Sequence, residues 1–259
     1  MSTKPLDLVW FEHLLPTQAR VPRLFCFPFA GASAEIFRSW QRHFRSEVDL
    51  CLVHFPGRGR RISEPPFTTL KCLVEAIATR MSHELEHPFA FYGHSMGALI
   101  GFELSRECYR RYNVGPLQLF VSGRGPKGRN TGSPIFTLPD DDFVAELRRL
   151  NGTPKELLAN PETRDLFLPV LRADFKVIGT YEYLPDKLLP CPITAYGGLQ
   201  DKDVPIESLR AWEKETSAAC MVRMLPGDHF FILDSDKDFI SVLRADVLGA
   251  LHSPAMQGA

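Results

Sequence analysis

The chain has no long apolar run, no excess of either charge and no cysteine-pair spacing, and each absence removes a class of function. No stretch approaches the ~20 consecutive apolar residues that span a bilayer, so neither a transmembrane helix nor a membrane partner is expected. Met1 to Arg20 mixes charges with apolar residues and lacks the apolar core of a secretory signal. The 30 Lys and Arg against 31 Asp and Glu leave a net charge of −1, which gives no support for nucleic acid as a partner. The six cysteines contain no C-x-x-C, and Cys26, Cys51, Cys191 and Cys220 lie in or beside strand-like runs. They read as reduced, buried thiols of a cytoplasmic protein. No internal repeat is present, and the tail from Ser253 to Ala259 reads as frayed.

What is present suits one large α/β domain over residues 1–259, with 44% hydrophobic residues to form its core. Strand-like runs at 24–27, 48–55, 88–92, 117–121, 191–196 and 221–225 are separated by helical ones, as in a mostly parallel sheet flanked by helices. A helix over 69–85 puts Leu70, Leu73, Val74, Ile77 and Met81 on one face, and a C-terminal helix carries Phe239, Ile240, Leu243, Val247 and Leu251.

The most informative residues are Gly93-His94-Ser95-Met96-Gly97. They read G-x-S-x-G between a strand and a helix, the setting of a nucleophile elbow in the α/β-hydrolase fold. In that fold an acid and then a histidine follow the serine, each on a loop after a strand. Gly197-Gly198-Leu199-Gln200-Asp201-Lys202-Asp203 and Gly227-Asp228-His229 occupy those loops. Asp201 is favoured over Asp203 as the acid, and adjacency argues against Asp228. His94 should point away from Ser95 and serve packing or a scaffold hydrogen bond. For the oxyanion hole the candidates are the N–H groups of Met96 and Ala30, with Phe29 as a one-residue alternative to Ala30. Ser33 is a candidate cap for the helix of Phe37 and Trp40.

Between Gly123 and Leu189 the alternation breaks. An amphipathic helix over 141–150, a capping box at Thr153-Pro154-Lys155-Glu156 and a second capped start at Asn160-Pro161-Glu162 replace one crossover helix. Pro169 is expected to kink the last helix. The insertion 124–189 reads as a lid over an acyl-sized apolar pocket, with Phe29, Phe143, Leu147 and Phe230 as candidate lining. The loop Pro56-Gly57-Arg58-Gly59-Arg60-Arg61 follows a strand on the same side of the sheet. Arg58, Arg60 and Arg61 are candidate contacts to a phosphate or an acidic partner, against the plainer reading of a solvated loop paired with Glu64.

Two motif matches are set aside. His83-Glu84-Leu85-Glu86-His87 fits H-E-x-x-H, but Pro88 ends the helix at His87, so no metal is expected. Gly123-Arg124-Gly125-Pro126-Lys127-Gly128 fits G-x-G-x-x-G, but the chain continues as loop rather than helix, so no dinucleotide site is expected.

Pro28-Phe29-Ala30-Gly31, Pro56-Gly57-Arg58, the elbow, Gly152-Thr153-Pro154, Arg172-Ala173-Asp174 and Gly227-Asp228-His229-Phe230-Phe231, in that order, resemble the type II thioesterases. The resemblance runs from Leu24 to Leu251. It implies a stand-alone α/β hydrolase, a monomer, that frees stalled or misprimed acyl groups from the phosphopantetheine arm of acyl or peptidyl carrier proteins in nonribosomal peptide, polyketide or fatty-acid synthesis. It also implies small acyl thioesters as substrates, the triad Ser95, Asp201 and His229, and no cofactor. The chain departs from many relatives at Ala32 and Asp228, where they have glycine. A carboxylester hydrolase, an acyltransferase and a non-catalytic hydrolase-fold receptor are the alternatives.

Overall fold

Apolar runs without alternation need cover on both faces, and the strands they form here are layered between helices. The computed structural model describes residues 10–16, 21–127, 134–153, 158–233 and 238–251. Its strands are β1 (Phe11–His13), β2 (Arg23–Phe27), β3 (Asp49–Val53), β4 (Phe89–His94), β5 (Leu119–Ser122), β6 (Ile193–Gly198) and β7 (Cys220–Leu225). They form one sheet in the order β1-β3-β2-β4-β5-β6-β7, parallel throughout except for β1 against β3. The helices are α1 (Gln41–Phe44), α2 (Leu70–Met81), α3 (Met96–Tyr112), α4 (Asp140–Leu150), α5 (Pro161–Gly179), α6 (Ile206–Arg210) and α7 (Asp238–Leu251).

Alternate residues of one strand serve opposite cores. Phe25, Phe27 and Phe91 pack with Ile77 of α2 and Phe102 of α3. Leu24, Cys26 and Tyr92 pack with Phe37, Trp40 and the α7 residues Phe239, Leu243 and Val247. The aromatic rings meet edge to face, as Phe27 and Phe91 do at 5.2 Å and 88°.

Several expectations change. The edge strand β1 is absent from the sequence reading because three residues show no period; its pairing with β3 makes it a strand. The second helix stops at Met81, not near His87, and 82–87 is a run of turns. Glu84 there receives Arg23 Nη1 at 2.5 Å and lies 3.2 Å from His13 Nε2, so H-E-x-x-H is not carried on a helix. Ser33 precedes a 3-10 turn, Ala34–Trp40, but its side chain caps nothing. Cys26, Cys51, Cys108 and Cys191 are buried, whereas Cys220 is half-buried and Cys72 exposed; all six are free. Among the described residues no helix is long and apolar enough to cross a membrane.

Between β5 and β6, a 3-10 turn (Ile135–Thr137), α4 and α5 lie around a small core of their own, built on Phe143, Val144, Leu147, Leu158, Leu168 and Leu171. Asn160 caps α5, its Oδ1 accepting the N–H groups of Glu162 and Thr163 at 2.9 and 3.3 Å. The helix continues through Pro169 to Gly179. Residues 154–156 of the expected capping box lie outside the described residues.

Candidate active site

The site follows from strand order and register. β3 lies on one side of β2 and β4 on the other, so the loops after β2 and β4 part and leave a crevice at the C-terminal ends of the strands. Phe27 pairs with Gly93, His94 with Ser122, Ser122 with Tyr196, and Gly198 with Leu225, which brings the ends of β2 and β4 to β7 level.

Ser95 is held at φ 52° and ψ −111°, a conformation that costs a non-glycine residue energy and is retained where surrounding structure demands it. Its N–H donates to the carbonyl of Ser122 at 2.8 Å, which ties the turn to β5. A Cβ on Gly93 would lie 2.1 Å from the carbonyl oxygen of Gly97, and one on Gly97 would lie 2.0 Å from that of Phe27. Only glycine allows the turn to close this tightly against β2. The 17-residue α3 begins at Met96, so the Met96 N–H has no partner within the helix and sits at its positive end.

Asp201 and His229 meet across the ends of β6 and β7. His229 Nδ1 and Asp201 Oδ2 are 2.7 Å apart. Asp201 Oδ1 accepts the N–H groups of Asp203 and Val204 at 2.9 and 3.1 Å. Burial pushes the Asp201 carboxyl up, but the hydrogen bond and charge of His229, with the two backbone donors, outweigh it and hold it below the ordinary value. The Asp201 side chain is 1% exposed and His229 21% exposed, so the pair is closed on the acid side and open on the base side. Asp203 is exposed, and Asp228 turns back to accept the N–H of Phe230 at 2.8 Å.

His94 is fully buried, with Nδ1 2.8 Å from Ser122 Oγ, which also meets the hydroxyl of Tyr92 at 2.9 Å. Its ring lies 5.1 Å from that of His229. Burial, and then the charge of His229, push its pKa well below the ordinary value, so it is neutral scaffold.

A cavity of about 810 Å³ opens over these residues and is lined by Ser95, His229, Phe29, Ala30, Phe230 and Leu147 among others. Phe143 is not among its lining residues; it is wholly buried in the core of the insertion, 5.8 Å from the Phe175 ring and under Arg172 at 4.4 Å. Phe143 therefore packs the insertion rather than lining the channel. The sequence reading missed the wall from Ile135, Phe136 and Leu138 and from Phe175 and Ile178 of α5. The spacing of Leu171, Phe175 and Ile178 on one helical face was the available signal.

Two of the three arginines assigned to partner contact are corrected. Arg58 is 5% exposed and forms a two-pronged ion pair with Asp174. Arg61 is equally buried, donating to Glu64 and to the His54 carbonyl while lying 4.0 Å over the Trp10 ring. Both are almost wholly withdrawn from solvent. Arg60 reaches it, with a 57% exposed side chain that meets Glu12 at 2.8 Å.

Comparison with known proteins bears on this site. A family model described as thioesterase domain matches residues 22–246. The gramicidin S biosynthesis protein GrsT of Aneurinibacillus migulanus is 44% identical over 235 residues, covering 90% of this chain and 92% of that protein. A protein of Brevibacillus parabrevis named linear gramicidin dehydrogenase LgrE is 41% identical over 226 residues, 86% of each chain. In the present chain the glycines from 123 to 125 run as loop packed on His94 and Ser208, and no helix opens there among the described residues. The solved structure of the type II thioesterase BorB from the borrelidin biosynthetic cluster superposes with a TM-score of 0.83 at 30% identity, covering 94% of this chain and 98% of that one. By the extent of these matches the chain belongs to the thioesterase family and is an acyl-thioester hydrolase.

Proposed function

We propose that the chain hydrolyses acyl groups held as thioesters on the phosphopantetheine arm of carrier proteins, using Ser95, His229 and Asp201. The observation that carries this reading is the part-buried Asp201–His229 hydrogen bond, whose open side shares one cavity with Ser95 and Ala30. In the proposed sequence His229 Nε2 takes the Ser95 proton as Oγ attacks the thioester carbonyl carbon. The N–H groups of Met96 and Ala30 receive the oxyanion. The C–S bond breaks, and the proton on His229 passes to the leaving thiol. Water, deprotonated by His229, then attacks the acyl-enzyme and releases a free acid and Ser95. No organic cofactor or metal has a role in these steps.

The relatives' links to gramicidin S and borrelidin biosynthesis support a carrier-bound substrate of nonribosomal peptide or polyketide assembly. The segment 124–189 acts in this reading as a lid, since its 3-10 turn, α4 and α5 contribute Phe136, Leu147 and Phe175 to the cavity. Arg60 is the remaining candidate for carrier contact. Six free cysteines suit a reducing cytoplasm.

Treatment with a fluorophosphonate is expected to give a single adduct on Ser95, and Ser95→Ala is expected to lose several orders of magnitude in thioester hydrolysis while keeping its fold. An adduct on another serine, or an active Ser95→Ala, would refute the reading.

A further inference from the structure

We infer that Asp174, a residue of α5, is a positioning residue for the oxyanion site: fixed by Arg58, its carboxylate holds the N–H of Gly31 and so sets the turn that presents the N–H of Ala30. The inference rests on the reading of Ala30 given above.

The geometry joins three segments distant in sequence. Asp174 Oδ2 accepts the N–H of Gly31 at 2.7 Å and Arg58 Nη1 at 2.5 Å, and Asp174 Oδ1 accepts Arg58 Nη2 at 2.7 Å. The two side chains are 5% and 3% exposed. An ion pair taken out of water loses much of its Coulombic gain to desolvation, so stability alone is a weak reason for one here. A carboxylate does, however, bind a backbone N–H more tightly and at a more defined position than a neutral acceptor.

The bond it makes controls a turn. The N–H of Ala32 donates to the Phe29 carbonyl at 3.1 Å, so residues 29–32 form a β-turn with Ala30 and Gly31 at its centre. Gly31 has φ +80°, as the third residue of a type II turn requires. The type I form of the same turn differs by a flip of the peptide joining Ala30 to Gly31. A fixed acceptor on the Gly31 N–H selects between the two and pins the turn against α5. Ala30 contributes the carbonyl of that peptide; its own N–H lies on the preceding peptide, which the pinned turn holds in place. α5 also presses on the turn, because a Cβ on Gly31 would lie 2.4 Å from Leu171 Cδ2. Two residues before Asp174, Arg172 Nη1 donates to the carbonyls of Phe136 and Leu138 at 2.6 and 2.8 Å. One stretch of α5 thus braces both the cavity wall and the oxyanion turn.

The test compares Arg58→Met/Asp174→Asn with Arg58→Met/Asp174→Leu. Both remove the two charges, so neither leaves a buried ion unpaired, but only Asn keeps an acceptor for Gly31. Three quantities are measured: kcat/KM on a small acyl thioester, affinity for an acyl trifluoromethyl ketone, and affinity for the matching unreactive thioether. The ketone forms a tetrahedral oxyanion on the serine and the thioether does not. The Leu variant is expected to lose about 10²-fold in kcat/KM and in ketone affinity, as when an oxyanion donor is removed. Its thioether affinity should hold, and the Asn variant should stay close to wild type. Equal activity in the two variants, or a loss shared by ketone and thioether, overturns the inference. Asp174→Glu keeps both charges and displaces the carboxylate; it should lose ketone affinity selectively, and wild-type affinity in it would also overturn the inference. A wild-type protein without thioester hydrolysis would instead remove the underlying functional reading, and this inference with it.

Discussion

Replacing Asp201 by Asn tests the roles of the two loop acids most sharply. In the wild type, Asp201 Oδ2 accepts from His229 Nδ1, and Oδ1 receives the N–H groups of Asp203 and Val204. The amide introduced by Asp201→Asn would keep its carbonyl oxygen on the two backbone donors and turn its NH₂ to His229. A donor facing Nδ1 makes that nitrogen an acceptor and moves the imidazole proton to Nε2, where the Ser95 proton must go. The imidazolium formed during attack also loses its counter-charge. Loss of both tautomer and charge in such a triad lowers kcat by about 10⁴, or roughly 5 kcal/mol of transition-state stabilisation. Asp203→Asn changes an exposed side chain, whereas the contact of that residue with Asp201 runs through its backbone N–H, which the substitution leaves in place. It should stay near wild-type rate. Thiol release from a small acyl thioester, followed with a chromogenic disulfide, measures both variants. A loss larger in Asp203→Asn than in Asp201→Asn would refute the assignment, and so would a fall of less than tenfold in Asp201→Asn.

Leu147→Ala should lengthen the preferred acyl chain, since Leu147 lines the cavity and each methylene contributes ~1–3 kcal/mol of discrimination. Phe143→Ala, by contrast, should lower stability by about 3–5 kcal/mol and leave the chain-length profile unchanged; a shifted profile in Phe143→Ala would return that residue to the channel. Arg60→Glu should raise KM for a carrier-bound acyl group and not for a small thioester, and equal effects would remove Arg60 from the partner surface. Burial pushes the His13 imidazole down, but hydrogen bonds to Asp49, Cys51 and Glu84 outweigh it, and its pKa is pushed up to about 12. Its contribution to stability is therefore full below the unfolded value of ~6.5 and is lost as pH rises, at about 1.4 kcal/mol per pH unit. Urea unfolding of wild type and His13→Gln at pH values above 6.5 measures that slope, and identical slopes would refute it.

Five of the strands, β2 to β6, were legible because they are buried on both faces, which favours apolar residues at successive positions; β7 is only partly buried and was legible from Met221, Val222, Met224 and Leu225 around Arg223. The elbow was legible because its strand, strained serine and helix are contiguous, and the clearance at Gly93 and Gly97 admits no side chain. The order of serine, acid and histidine follows from strand succession, so it too could be read. The rest depended on partners remote in the chain. β1 exists as a strand only by pairing with β3. Asp201 and Asp203 sit in one loop with the same side-chain chemistry; the sequence favours Asp201 by its place after the Gly-Gly turn, but that its carboxylate meets His229 is a contact between two loops. Phe143 and Leu147 share a helical stripe, yet one faces the core of the insertion and the other also reaches the cavity, because the packing of α5 sets that boundary. Arg58 and Arg61 look alike to Arg60 in sequence, but Asp174, 116 residues on, neutralises Arg58 and Trp10 covers Arg61. Periodicity and turn chemistry are local and survive in the sequence, whereas the burial of a charge and the facing of a side chain depend on what packs against it, and only the tertiary structure decided that.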